Sequence, residues 1–150
     1  MRHWLAGLIC LAGWLSARAE PPTCVIEVFA ADAAELTGAG GADLTPLQRL
    51  DLSVIPGQKN RAAATMGDTT LAVEVEAQAQ PENQWLVLLK VELTRWLTLP
   101  DVAEPVPTRY VLNTSLKLEL GGEAQVVGRI DVQVDDATPE RRVVTARLVP

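Results

Sequence analysis

Residues 69–134 alternate between apolar and polar side chains, and this pattern dominates the chain. The clearest run is 69–79, where leucine, valine and alanine occupy the odd positions and mainly glutamate or glutamine falls between them. A period of two turns one row of side chains into a core and the other into water, which a helix of the same sequence could not do. We therefore predict four strands folded into two successive hairpins, over residues 69–79, 85–96, 110–120 and 124–134.

The connections between these strands carry recognisable turn signals. Residues 81–84 join the first pair, and Gly121-Gly122 joins the second, where glycine takes the positive φ of a two-residue turn without strain. The prolines of 97–107 predict an irregular crossing connection between the two hairpins. In the last of the four strands, the residues predicted to face the core are Val126, Ile130, Val132 and Val134.

The strand over 85–96 begins with apolar residues on both of its faces. It is therefore predicted to be the most buried strand, in the middle of a sheet that is covered twice or at an interface. Trp85 and Trp96 are an odd number of residues apart, so they point to opposite faces of this strand. One is predicted to lie in the core and the other to mark a partner contact, because tryptophan is enriched at binding hot spots.

Shorter elements are predicted on either side of this region. The additional strands cover residues 24–30, 51–55, 61–66 and 142–149. The last of them is expected at a sheet edge, where its arginines would discourage pairing with other molecules. A helical turn is expected over 31–36, and a short helix over 43–50, where a Thr-Pro pair supplies the cap and first helical position. The predicted fold class is all-β: an antiparallel sandwich or strongly twisted sheet of about seven strands, with at most one short helix.

Residues 1–19 have the three parts of a secretory signal peptide: a basic start, an apolar run and the small-residue site Ala17-Arg18-Ala19. Cleavage there would leave residues 20–150, which is enough for one exported domain with a core of its own. We therefore expect a periplasmic protein, possessing no transmembrane helix because the apolar run is shorter than the roughly 20 residues that span a bilayer.

The charge of the chain argues against nucleic acid as a partner. The sequence has 13 basic and 19 acidic residues, a net charge of −6. Removing the two arginines of the signal segment makes it about −8. Phosphate backbones and anionic lipids would not be attracted to such a chain.

Cysteine and histidine usage excludes several kinds of chemistry. Beyond residue 19 the chain keeps one cysteine, Cys24, and no histidine. An intramolecular disulfide is therefore excluded, and triad chemistry lacks its usual base. Cys24 is either a small buried side chain or one half of an intermolecular disulfide.

Two groups of carboxylates are candidate sites. Glu74 and Glu76 share one strand face, where alternation places both in water rather than in a cleft that would raise a pKa for catalysis. Asp131, Asp135 and Asp136 could bind a hard cation, but they lack the spacing of a known calcium loop. We predict no enzyme, no cofactor and no metal.

Residues 57–134 resemble the secretin β-domain of bacterial outer-membrane secretion and pilus channels. The resemblance is carried by the Gly-Gln, short strand, Gly pattern of 57–67, by the alternating hairpin of 70–95, and by the strand, Gly-containing turn and strand of 110–130. The family usually shows Gly-Gly where this chain has Gly128-Arg129. The proline-rich segment of the family does not follow, so the resemblance implies a solitary secretin-like module in the periplasm rather than a complete pore.

The leading functional hypothesis is a non-enzymatic exported β-domain that acts through protein–protein contacts, in a type II secretion or type IV pilus-like assembly or as a homo-oligomer. One alternative is a β-sandwich that binds a carbohydrate or small ligand, which predicts an aromatic-lined groove. Another is a hydrolase that uses carboxylates alone, which predicts two acidic side chains converging in one cleft.

Overall fold

The structure, a computed structural model, describes residues 20–30, 44–133 and 139–150. Within these ranges it contains eight strands and no helix, so the all-β prediction is confirmed. The predicted signal peptide and the predicted helical turn over 31–36 lie outside the described residues. The strands are β1 (Thr23–Phe29), β2 (Gln48–Ser53), β3 (Lys59–Met66), β4 (Thr69–Ala79), β5 (Gln84–Leu97), β6 (Val106–Glu119), β7 (Gln125–Val132) and β8 (Glu140–Val149).

The eight strands form two antiparallel sheets that pack as a sandwich. Sheet A has the order β2-β1-β8-β7, and sheet B has the order β3-β4-β5-β6. Alternate residues of both sheets meet in one buried apolar cluster, as the period of two requires. Sheet A supplies Ile26, Val144 and Leu148 to this cluster, and sheet B supplies Leu71 and Leu93 among others.

The first predicted hairpin is confirmed and the second is wrong. β4 pairs with β5 from Thr69 to Ala79, but β6 pairs with β5 as well, and β7 pairs with β8 in the other sheet. The prolines before β6 therefore lie in an ordinary connection between neighbouring strands. Gly121, at φ +77, donates its N–H to the carbonyl of Leu148 at 2.8 Å and turns the chain from sheet B towards sheet A.

A β-bulge in β7 explains which of its valines face the core. The register shifts between Val126 and Gly128, so the row of inward residues changes parity at that point. Ile130 and Val132 are buried as predicted, whereas Val126 is 39% exposed and Val127 packs against the core instead. The predicted inward residue Val134 lies outside the described residues.

Two further predictions about local structure are wrong. The short helix over 43–50 is not formed, because Gln48–Ser53 is strand β2, which pairs with β1 and turns Leu52 into the core. The last strand is not an edge strand, because β8 lies between β1 and β7. Four consecutive residues of β8, 143–146, are buried, which is typical of a central strand covered on both faces.

β5 is not the most buried strand. Its second apolar row lies on the side of sheet B that faces away from sheet A, where Leu88 is 43% exposed. The strands buried on both faces are instead β1 and β8 of sheet A.

Candidate functional site

The site that sheet B offers for a partner is the free edge of β6. This strand pairs with β5 over all of its 14 residues, and no described strand pairs with its other side. The unpaired side of an edge strand presents backbone N–H and C=O groups to any strand that approaches.

The hydrogen-bond pattern shows which residues turn their backbone towards this edge. The backbone N–H of Trp96 donates to the backbone carbonyl of Asp68 at 2.9 Å. The backbone groups of Trp96 and of every second residue before it in β5 therefore point towards β4. The intervening residues of β5, such as Val91, bond to β6 at their register partners, such as Leu112. The residues of β6 whose backbone N–H and C=O groups point to the free edge are therefore Arg109, Val111, Asn113 and Ser115.

These outward residues are accessible. All four are exposed, and Val111 is 46% exposed although it is apolar. At one end the edge is closed, because the carbonyl of Lys117 accepts a hydrogen bond of 3.2 Å from Nε2 of Gln125. The accessible stretch therefore runs over residues 109–115.

The outer face of sheet B, opposite to the core, is polar and carries an unusual share of the positive charge. Lys59, Arg61, Lys90, Arg109 and Lys117 point to it, against four carboxylates, Glu74, Glu76, Glu92 and Glu119. We call this surface the charged face. Its net charge of about +1 stands against −6 for the whole chain, and it holds all three lysines of the sequence.

Ion pairs neutralise only part of this charge. Lys59 lies 3.2 Å from a carboxylate oxygen of Glu74, and Arg109 forms an ion pair with Glu92. The hydrogen bond from Arg109 lowers the pKa of Glu92, with smaller contributions from the charges of Lys90 and Arg61. Lys90 and Lys117 form no salt bridge with any residue that the structure describes.

The two tryptophans lie on opposite faces of β5. Trp85 is half-buried and packs against the core cluster, whereas Trp96 is 46% exposed on the charged face. Trp96 is the register partner of Pro107 on β6, so it lies one strand in from the free edge. Three more exposed apolar residues lie at the same end of the β5–β6 pair: Leu99, Val102 and Val106.

The charged face also contains a shallow depression of about 440 Å³, whose lining includes both Glu74 and Glu76. The two carboxylates stand side by side on β4 in an open surface, and Glu74 is engaged by Lys59. The carbohydrate hypothesis predicts an aromatic-lined groove, but no aromatic residue lines this depression.

No set of three potential metal ligands occurs among the residues that the structure describes. Of the three aspartates that the sequence offers as cation ligands, Asp131 lies 3.3 Å from Arg141 in an ion pair, and Asp135 and Asp136 fall outside the described residues. Asp131 alone makes no cation site.

Cys24 is a free and fully buried thiol in the core of the sandwich. Burial raises its pKa from 9.0 to about 12. Of the two alternatives for Cys24, the structure therefore agrees with a small buried side chain. The sulfur is inaccessible to a cysteine of a second chain.

The free edge could not be found from the sequence, although its strand was predicted. Residues 110–120 alternate in the same way whether β6 pairs on one side or on both. Only the topology, which sends β7 to the other sheet, leaves Val111 and Asn113 without a neighbouring strand among those that the structure describes.

Comparison with models of protein families, with curated proteins and with solved structures gives no match to this chain. Among the described residues, no helix has the length and apolar character needed to cross a bilayer.

Proposed function

We propose that this protein is a non-enzymatic exported β-domain of the periplasm that acts by protein–protein contact, and that β6 takes up an extended segment of its partner as an added strand. Strand addition of this kind gains affinity from main-chain hydrogen bonds and specificity from alternate side chains. The observation that carries the proposal is the unpaired and exposed edge over residues 109–115.

The surroundings of the edge support a protein as its partner. Trp96 and the exposed apolar residues at the end of the β5–β6 pair lie next to the edge. Tryptophan is enriched at binding hot spots, and exposed apolar patches mark sites where proteins meet. An added strand that reaches Pro107 would lie two strands from Trp96. The resemblance of residues 57–134 to the secretin β-domain leads us to propose a secretion or pilus assembly of the cell envelope as the setting.

A proline at position 111 tests the free edge directly. Val111→Pro removes an N–H that points away from β5, so it takes a donor from the edge without taking one from the β5–β6 ladder. Ala63→Pro is the matched control. The backbone N–H of Ala63 points away from β4, at the other edge of sheet B, so this proline also removes an edge donor without breaking a ladder hydrogen bond.

The measurement is capture of envelope proteins by the tagged domain, with circular dichroism and urea unfolding to show that each variant is folded. We expect the wild type and Ala63→Pro to retain the same partner and Val111→Pro to lose it. Equal capture by a folded Val111→Pro domain would contradict the proposal. Recovery of no partner, together with a rise in Tm on adding a sugar or a metal ion, would favour the ligand-binding alternative.

A further inference from the structure

We infer that the segment taken up by β6 is acidic on the side that joins the charged face, with a carboxylate placed to meet Lys117. This inference rests on the proposed strand addition and adds the chemistry of the partner. It is carried by the distribution of charge over the sandwich.

The distribution of charge is strongly uneven. The charged face holds five of the 13 basic side chains of the sequence but only four of its 19 acidic ones. The rest of the chain is therefore more negative than the total of −6. An acidic segment is repelled by most of this protein and attracted to this face, which favours docking there.

The register brings this charge to the free edge. A strand added along residues 109–115 would place its outward side chains about 5 Å from those of Arg109, Val111, Asn113 and Ser115. Its last outward side chain would lie about 7–8 Å from that of Lys117, on the diagonal. Arg109 is already paired with Glu92, whereas Lys117 has no such partner among the described residues. A carboxylate opposite Ser115 would lie on the diagonal from Lys117 and would supply the ion pair that this end of the edge lacks.

Lys90 extends the same field one strand inward, because it is the register partner of Asn113. It too forms no salt bridge with a described residue. The edge therefore has two such cations on the charged face: Lys90, one strand in from its middle, and Lys117, at its closed end.

A second copy of this chain fits the edge less well. Two β6 strands paired antiparallel about Asn113 would bring Arg109 of each copy opposite Lys117 of the other. Like charges directly opposite each other on neighbouring strands are destabilising. The other edge of sheet B is also basic, through Lys59 and Arg61.

Two synthetic peptides as long as the free edge test the inference. Both are built from threonine and valine, except at the positions whose side chains would join the charged face. Those positions are glutamate in one peptide and lysine in the other. Binding is measured by fluorescence anisotropy to the wild type, Lys117→Glu, Arg61→Glu and Val111→Pro. Lys117→Glu and Arg61→Glu change the net charge of the charged face equally, but Arg61 lies on the far edge strand β3.

We expect the acidic peptide to bind the wild type about tenfold more tightly than the basic one, since two cross-strand charge pairs are reversed between them. Lys117→Glu should remove most of that preference, Arg61→Glu should keep it, and added salt should weaken binding of the acidic peptide.

The outcomes separate this inference from the proposed function. Equal binding of both peptides, abolished by Val111→Pro, would keep strand addition and overturn the acidic partner. Unchanged binding to a folded Val111→Pro domain would overturn strand addition itself. Failure of both peptides to bind the wild type, or equal effects of Lys117→Glu and Arg61→Glu, would also overturn the inference.

Discussion

The outer faces of the two sheets differ in how far their apolar side chains are buried. On sheet A, Val25 and Val143 alternate with the core residues and so point away from the core, yet they are 1% and 0% exposed. On sheet B, the outward residues Leu88, Trp96 and Val111 are each more than 40% exposed. Both sheets have four strands and share one core, so the difference lies in their outer faces alone.

This difference assigns separate roles to the two halves of the sandwich. β1 and β8 read as almost continuous apolar runs, which are typical of strands buried on both faces. β4 alternates cleanly, which is typical of a strand with one face in water. Sheet A therefore supplies mainly stability, while sheet B presents the charged face and the free edge.

The same substitution, valine to aspartate, on the outer face of each sheet tests whether the two faces differ in burial. Val143→Asp places a carboxylate at a position without solvent access, and we expect a loss of more than about 3 kcal/mol in the free energy of unfolding. Val111→Asp places it at an exposed position, where about 0.5 kcal/mol is expected. Urea unfolding of both variants measures the two values, and similar losses would show that the faces do not differ.

Alkaline pH should destabilise the protein through Cys24 on β1 of sheet A. The folded protein keeps the thiol proton up to about pH 12, whereas the unfolded chain releases it near 9.0. The contribution of the neutral thiol is therefore complete below the unfolded pKa and is lost as the pH rises between these values. At pH 11 the loss should reach roughly 2–3 kcal/mol.

The control for this prediction is Cys24→Ala, which lacks the thiol and should show a shallower decline above pH 9.0. Urea unfolding as a function of pH compares the two proteins. Parallel declines would assign the alkaline loss to other groups. At neutral pH the native thiol should also resist iodoacetamide until the protein is unfolded.

One arginine in each sheet extends the comparison of the two sheets to smaller changes in stability, because the two side chains differ in hydrogen bonding. Nε of Arg147, in β8, is buried and has no hydrogen-bond partner within the described ranges, whereas Nε of Arg95, in β5, donates to Asp68 at 3.2 Å. We expect Arg147→Met to leave the free energy of unfolding unchanged or raise it by about 1 kcal/mol, because a buried unpaired donor is removed. Arg95→Met should lower it by about 1 kcal/mol. A larger loss for Arg147→Met than for Arg95→Met in urea unfolding would contradict this reading.

The sequence predicts the strands of this fold better than it predicts their partners. Alternation locates β4 to β6 within a few residues, because the side-chain period is local. It cannot say that β7 leaves sheet B, since Gly121-Gly122 suits a hairpin turn as well as a connection between sheets. It also cannot detect the bulge at Val127, where one extra residue reverses which valines face the core.

The candidate site follows the same division between local and non-local information. The opposite directions of Trp85 and Trp96 are predicted correctly, because parity along one strand decides them. The free edge and the gathering of all three lysines on one face depend on strand order and register, which join residues far apart in the chain.

The smallest expected effect concerns the ion pair of Glu92 and Arg109 on the charged face. The hydrogen bond from Arg109 lowers the pKa of Glu92 below its unfolded value of 4.5, so the pair contributes stability above that pH and loses it as the pH falls through the lowered pKa. Because the pair lies at the surface, the contribution should be small and should shrink with added salt.

Glu92→Gln removes the charge while preserving the shape of the side chain. The difference in Tm between this variant and the wild type should be measurable at neutral pH and low salt, and should close below pH 4.5. The Tm cost of Val143→Ala, by contrast, should not follow this pH window, because it removes only apolar burial on sheet A. A Glu92→Gln difference that persists at low pH would mean that Glu92 acts through packing, and the charged face would then resemble sheet A in what stabilises it.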